Sequence, residues 1–170
     1  MEGRLLVSTG EGPLAGLLSR SRASERGAAV VEFALVAPLL LLLVFGMISY
    51  GYMLSFRQAL SQGAAEGARA AAVTVASTDG SEQTDAARAA LDEALGSYGI
   101  SCSGTTLLKG SAAVGSCGVA IAPCVGDADQ DCATVSVDYA YEEHPLIPSV
   151  PGLGIVLPGH LSYSSVARVS

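Results

Sequence analysis

From Phe33 to Phe56 the chain carries no charged residue, and the run FALVAPLLLLLVFGMISYGYMLSF is apolar almost throughout. As a helix rising ~1.5 Å per residue it would be about 36 Å long, against a bilayer hydrocarbon core of about 30 Å. A buried helix of a soluble protein is rarely this long and this uniformly apolar. It therefore reads as a transmembrane helix, with Tyr50 and Tyr52 suited to the far membrane interface. A cleaved secretory signal fits less well, because the apolar run outlasts an ordinary signal core. The nearest small-x-small sequence, at 63–65, lies beyond Arg57.

Charge sets the direction of insertion. Four arginines and three glutamates precede residue 28, with Arg20, Arg22 and Arg26 crowded before the apolar run; five basic and thirteen acidic side chains follow. Basic residues are retained on the cytoplasmic side. Residues 1–27 then form a cytoplasmic leader, residues 28–76 a transmembrane helix with an extension, and residues 77–170 an extracytoplasmic domain of a single-pass cytoplasmic-membrane protein. All four cysteines, Cys102, Cys117, Cys124 and Cys132, fall on that outer side, where disulfides persist. The acidic body excludes nucleic acid as a partner, since phosphate backbones are bound by basic surfaces.

Glu32 stands at the start of the apolar run, in the string Arg26-Gly27-Ala28-Ala29-Val30-Val31-Glu32-Phe33. A carboxylate at the membrane edge is costly unless it is paired or reaches the interface. The string resembles a prepilin-peptidase site: a glycine, four small or apolar residues, a glutamate, then an aromatic. That resemblance implies cleavage after Gly27, leaving Ala28 as the new N-terminus and Glu32 as its fifth residue. The ammonium at Ala28 and the carboxylate at Glu32 would then pair between neighbouring subunits and set their axial register.

The longer stretch 26–72 resembles the TadE-like family of the tight-adherence (Tad/Flp) pilus system. The shared features are Gly-Ala-x-x-Val-Glu-Phe-Ala-Leu at 27–35, Pro38 before a leucine run, Phe45-Gly46, Gly51, and Ala-x-x-Gly-Ala-Arg at 64–69. It departs from the family at Ser49-Tyr50 and at Glu66, where acidic and basic residues respectively are common. The resemblance implies a pseudopilin-like protein whose partners are the membrane, a prepilin peptidase, other pilus or pseudopilin subunits and the inner-membrane assembly platform. The rivals are an uncut, signal-anchored extracytoplasmic binding or adhesion module and a secreted accessory domain released by signal peptidase.

Past Arg57 the helix is expected to continue to residue 76. Ser55, Ala59, Gly63, Gly67 and Ala71 recur every four residues, a small-residue face that another helix can approach closely. A turn at 77–81 and an amphipathic helix at 84–97 follow, with Ala87, Leu91, Ala94 and Leu95 on one face and Gly96 and Gly99 marking its end. Beyond residue 101 the pattern turns to short strands, at 105–108, 118–122 and 134–141, with a weaker one at 161–169 after a Pro/Gly-rich loop. In 134–141, Val135, Val137, Tyr139 and Tyr141 alternate with polar or small residues, as in a half-buried strand. The fold class is α+β: a long N-terminal transmembrane helix, a second short helix and a small antiparallel sheet, the general pilin-like plan.

The cysteine spacings of 15, 7 and 8 contain no CxxC pair and no histidine among them, unlike a zinc site. Four cysteines allow three pairings; Cys102–Cys117 with Cys124–Cys132 closes the local loops. Asp127, Asp129 and Asp131 alternate but lack the glycine and closing glutamate of a calcium loop, so no metal is expected. His144 and His160 sit in loop sequence, and neither G-x-S-x-G nor a phosphate-binding glycine loop occurs. The chain therefore reads as no enzyme and needs no cofactor.

Overall fold

The computed structural model describes residues 14–75, 80–147 and 158–169. The chain falls into two compact units, Met1–Val44 and Phe45–Ser170. Helix α1 (Leu14–Val73) contains Pro38, and the apolar side chains of the first unit, from Val30 to Val44, are exposed. The part of the expected leader before residue 14, the expected helix end at residue 76 and the loop at 148–157 lie outside the described residues.

In the second unit α1 is a core element. Met53, Phe56, Leu60, Ala64, Ala68 and Ala71 are buried at the three- and four-residue spacing of one helix face. Against that face packs α2 (Ser81–Leu95), which buries Ala87, Leu91 and Leu95. Its start is three residues earlier than the sequence pattern indicates, because Gly80 adopts a left-handed conformation (φ 69°) and its carbonyl accepts both the amide and the hydroxyl of Thr84, at 3.1 and 2.9 Å. A 3-10 turn, Gly96–Tyr98, closes α2, and Gly99 at φ 68° turns the chain into the sheet, a backbone region open mainly to glycine.

The sheet is a five-stranded antiparallel meander in the order β1-β2-β3-β4-β5, comprising β1 (Ile100–Ser103), β2 (Thr106–Lys109), β3 (Ala112–Cys124), β4 (Asp127–Ala140) and β5 (His160–Arg168). One face lies on the helices and the other is open, the usual arrangement for antiparallel sheets. Val135, Val137 and Tyr139 of β4 and Tyr141 just beyond it point inward, as their alternation indicates. The sequence pattern misses β1 altogether, and β3 and β4 extend further toward their hairpin than expected. The acidic run is therefore not a loop: Asp127 and Asp131 lie in β4, paired with Cys124 and Pro123 across a register shift.

Cys102 joins Cys117, tying β1 to β3 across β2, and Cys124 joins Cys132 near the end of the β3–β4 hairpin. Asp92 on α2 accepts the amide of Cys102 at 2.6 Å, so the first bridge also anchors the helix to the sheet edge.

Candidate membrane anchor and processing segment

Gly27, Ala28, Glu32 and Phe33 all lie within α1 and are exposed. A Cβ added at Gly27 would meet nothing within 4 Å, so the glycine is not required there for packing. What it contributes is a weak point, since glycine costs a helix roughly 1 kcal/mol relative to alanine. The apolar side chains that follow, Phe33, Leu35, Val36 and Leu39 to Val44, are exposed among the described residues. Among the described residues one helix is long and apolar enough to cross a membrane, and none of its most apolar stretch is buried.

The small-residue row behaves differently along its length. Ser55 is exposed and shares a 2.9 Å hydrogen bond with the Tyr98 hydroxyl, while Ala59 is half-buried. Gly63, Gly67 and Ala71 are buried. A Cβ on Gly63 would stand 2.9 Å from Leu91 Cδ1 and 3.2 Å from Ala94 Cβ; one on Gly67 would stand 3.0 Å from the Ala87 carbonyl oxygen. The helix that approaches this face is thus the chain's own α2. The glycines permit a separation that a side chain would prevent, at the helix-propensity cost noted above.

The far end of the apolar run is built of aromatic rings. Phe56 is fully buried and meets Tyr98 and Tyr139 edge-on, with centroids 4.9 and 4.8 Å apart. Tyr52 stacks edge-on against Tyr98 at 5.7 Å. The Tyr139 hydroxyl donates to the His144 carbonyl at 2.7 Å, and burial pushes its pKa up to about 12. Arg57 Nε donates to the Tyr163 hydroxyl at 2.9 Å. Sequence reading did not single out Tyr98 or Tyr163. The one local signal for Tyr98 is an aromatic flanked by turn glycines.

One reading of a polar residue needs correction. His160 is not an unpartnered loop histidine: it begins β5, and its Nδ1 lies 2.7 Å from Asp138 Oδ1. The Ser162 hydroxyl donates to the other carboxylate oxygen, and that bond, assisted by His160, holds Asp138 below the usual carboxylate range despite partial burial. The serine here bonds the carboxylate directly rather than the imidazole, so the histidine has no contact through which to act as base on it. Nor do the acids of the hairpin converge. Asp127 accepts from Arg168 Nη2 at 3.3 Å, and no group of three ligating side chains that could hold a metal occurs among the described residues.

A family model described as TadE-like protein matches residues 27–69. That segment is similar to the TadE-like family. The matched region runs from Gly27, through the exposed apolar helix, to the face that α2 covers. Residues 70–170, and with them α2 and the sheet, lie outside the match. No curated protein and no solved structure is significantly similar to the chain.

Proposed function

We propose that this chain is a pseudopilin-like component of Tad/Flp pilus assembly, anchored in the cytoplasmic membrane with residues 1–27 inside and the domain outside. A prepilin peptidase cuts it after Gly27. The mature helix then associates through its exposed apolar surface with other pilus or pseudopilin subunits and with the inner-membrane assembly platform. The observation that carries this reading is the coincidence of the TadE-like match at 27–69 with a helix whose large apolar side chains from Val30 to Val44 are exposed, with Glu32 as the one charge in that stretch. Because α2 occupies the Gly63 and Gly67 face, the surface offered to partners lies mainly before Met53. The chain contributes by assembly and not by catalysis.

The test is the N-terminus of the protein isolated from membranes of cells with an active prepilin peptidase, read by peptide mass spectrometry. A chain beginning at Ala28, with Gly27→Leu restoring the full-length form, is the expected result. A chain that still begins at Met1 would overturn the processing and favour an uncut, anchored binding module. A chain beginning beyond residue 56 would indicate a secreted domain.

A further inference from the structure

The apolar run changes its surroundings along its length: one face becomes buried in the domain from Met53 onward. Met53 is 2% exposed and Phe56 and Leu60 are fully buried, whereas Tyr50 and Tyr52 are 52% and 39% exposed. In the last turn of the run one face, Met53 and Phe56, therefore packs into protein, while Leu54 on the other face stays 40% exposed. What remains, residues 33–52, is about 20 residues, or roughly 30 Å of helix, which equals the thickness of a bilayer's hydrocarbon core. Glu32 bounds this stretch at one end and the two tyrosines bound it at the other.

If the hydrocarbon ends at Tyr52, the headgroup layer, about 5–8 Å deep on each side, covers the next turn of α1, through Arg57. Elements of the domain are tied to that turn by direct contacts. The 3-10 turn is held there by Tyr98, whose ring meets Tyr52 and Phe56 and whose hydroxyl bonds Ser55. Strand β5 is held by the Arg57–Tyr163 bond. That bond uses only Nε of Arg57, so its two terminal nitrogens have no hydrogen-bond partner among the described residues and suit a phosphate oxygen. Tyrosine rings with one apolar side and one polar tip favour this depth.

We infer that the face of the domain carrying Tyr52, Tyr98 and Arg57 docks on the phospholipid headgroups of the adjacent leaflet, so that the domain rests on the membrane and does not stand away from it. This rests on the reading that residues 33–52 span the bilayer. Exposed Glu142 and Glu143 follow Tyr141, whose ring lies near Phe56 at 6.5 Å. With acids at the same end of the domain, docking needs no anionic lipid and occurs on zwitterionic phosphatidylcholine.

The chain has no tryptophan, so each single substitution creates a lone emitter. The full-length protein carrying Leu43→Trp, Tyr52→Trp, Ser97→Trp or Val125→Trp is reconstituted into phosphatidylcholine vesicles containing lipids brominated near the headgroup or near the bilayer centre. Leu43→Trp should be quenched most by the deep label. Tyr52→Trp and Ser97→Trp should be quenched several-fold more by the shallow label than by the deep one. Val125→Trp, at the exposed hairpin tip, should not be quenched. Deep quenching of Leu43→Trp with a water-like, unquenched Ser97→Trp would overturn the docking and leave the anchor intact. Absence of quenching at Leu43→Trp would overturn the spanning helix itself. Ser97 is exposed, so its replacement does not disturb the core.

Discussion

Replacing Gly63 by leucine should destabilise the Phe45–Ser170 unit without affecting insertion. The position has no room: even a methyl carbon there would lie 2.9 Å from Leu91 Cδ1 and 3.2 Å from Ala94 Cβ, where carbon atoms prefer about 3.5–4.0 Å. A leucine adds four carbons where one has no room, so the cost falls in the upper part of the usual overpacking range, about 2–3 kcal/mol; the better helix propensity of leucine returns somewhat under ~1 kcal/mol, leaving about 1–2 kcal/mol. For a unit of this size that corresponds to a fall in Tm of roughly 4–9 °C. The assay is thermal unfolding of the full chain in detergent or nanodiscs, followed by near-UV circular dichroism of the buried tyrosines, with Ala65→Leu on the exposed face of α1 as control. The control should stay within about 0.5 kcal/mol of the wild type. Leu91→Ala removes the principal obstacle, so the double variant should be more stable than the sum of the single losses predicts by ~1 kcal/mol or more. A Gly63→Leu protein that melts with the wild type, or two losses that simply add, would refute the close approach of α1 and α2. Any defect in pilus assembly shown by Gly63→Leu would then reflect a lost contact between subunits and not a loosened domain.

Removing the hairpin bridge with Cys124→Ser/Cys132→Ser should cost about 2.5 kcal/mol from loop closure, and removing the β1–β3 bridge with Cys102→Ala/Cys117→Ala at least ~3 kcal/mol, because both of those sulfurs are also buried in the core; urea unfolding of the two variants measures the difference. Asp138 has a folded pKa below its ordinary value, so its contribution to stability is present above the unfolded-state pKa and lost as pH falls through the folded one. The Tm gap between wild type and Asp138→Asn should accordingly close in the acid range below the ordinary carboxylate pKa, and a pH-independent gap would be inconsistent with this. Tyr139 behaves in the opposite sense. With its pKa raised from 10.0 to about 12, the unfolded chain loses that proton first, so stability should fall as pH rises between those values. Tyr139→Phe should flatten this alkaline loss while costing about 1 kcal/mol at neutral pH through the missing hydrogen bond to His144.

The long apolar helix, the second helix and the inward face of β4 could all be read from the amino-acid order, because each depends on composition or periodicity within a few turns of chain. Glu32 and its neighbours stood out for the same reason: a charge inside an apolar run is visible without knowing what surrounds it. The lipid-facing and core-facing parts of the run could not be separated in this way. Phe56 is as apolar as Leu43, and only the arrival of Tyr98 and Tyr139 from distant parts of the chain makes it a core residue. The glycine face showed that some helix could come close, but α2 was identified only by packing. Strand β1 escaped because four residues, Ile100–Ser103, are too few for an alternation to show, and its strand character comes from pairing with β2 and from the Cys102–Cys117 bridge. Asp138, Ser162 and His160 are neighbours through strand register, a property of two chain segments together. Local sequence thus determined which segments are apolar and how they repeat; tertiary structure decided which apolar surfaces meet protein and which are left for the membrane.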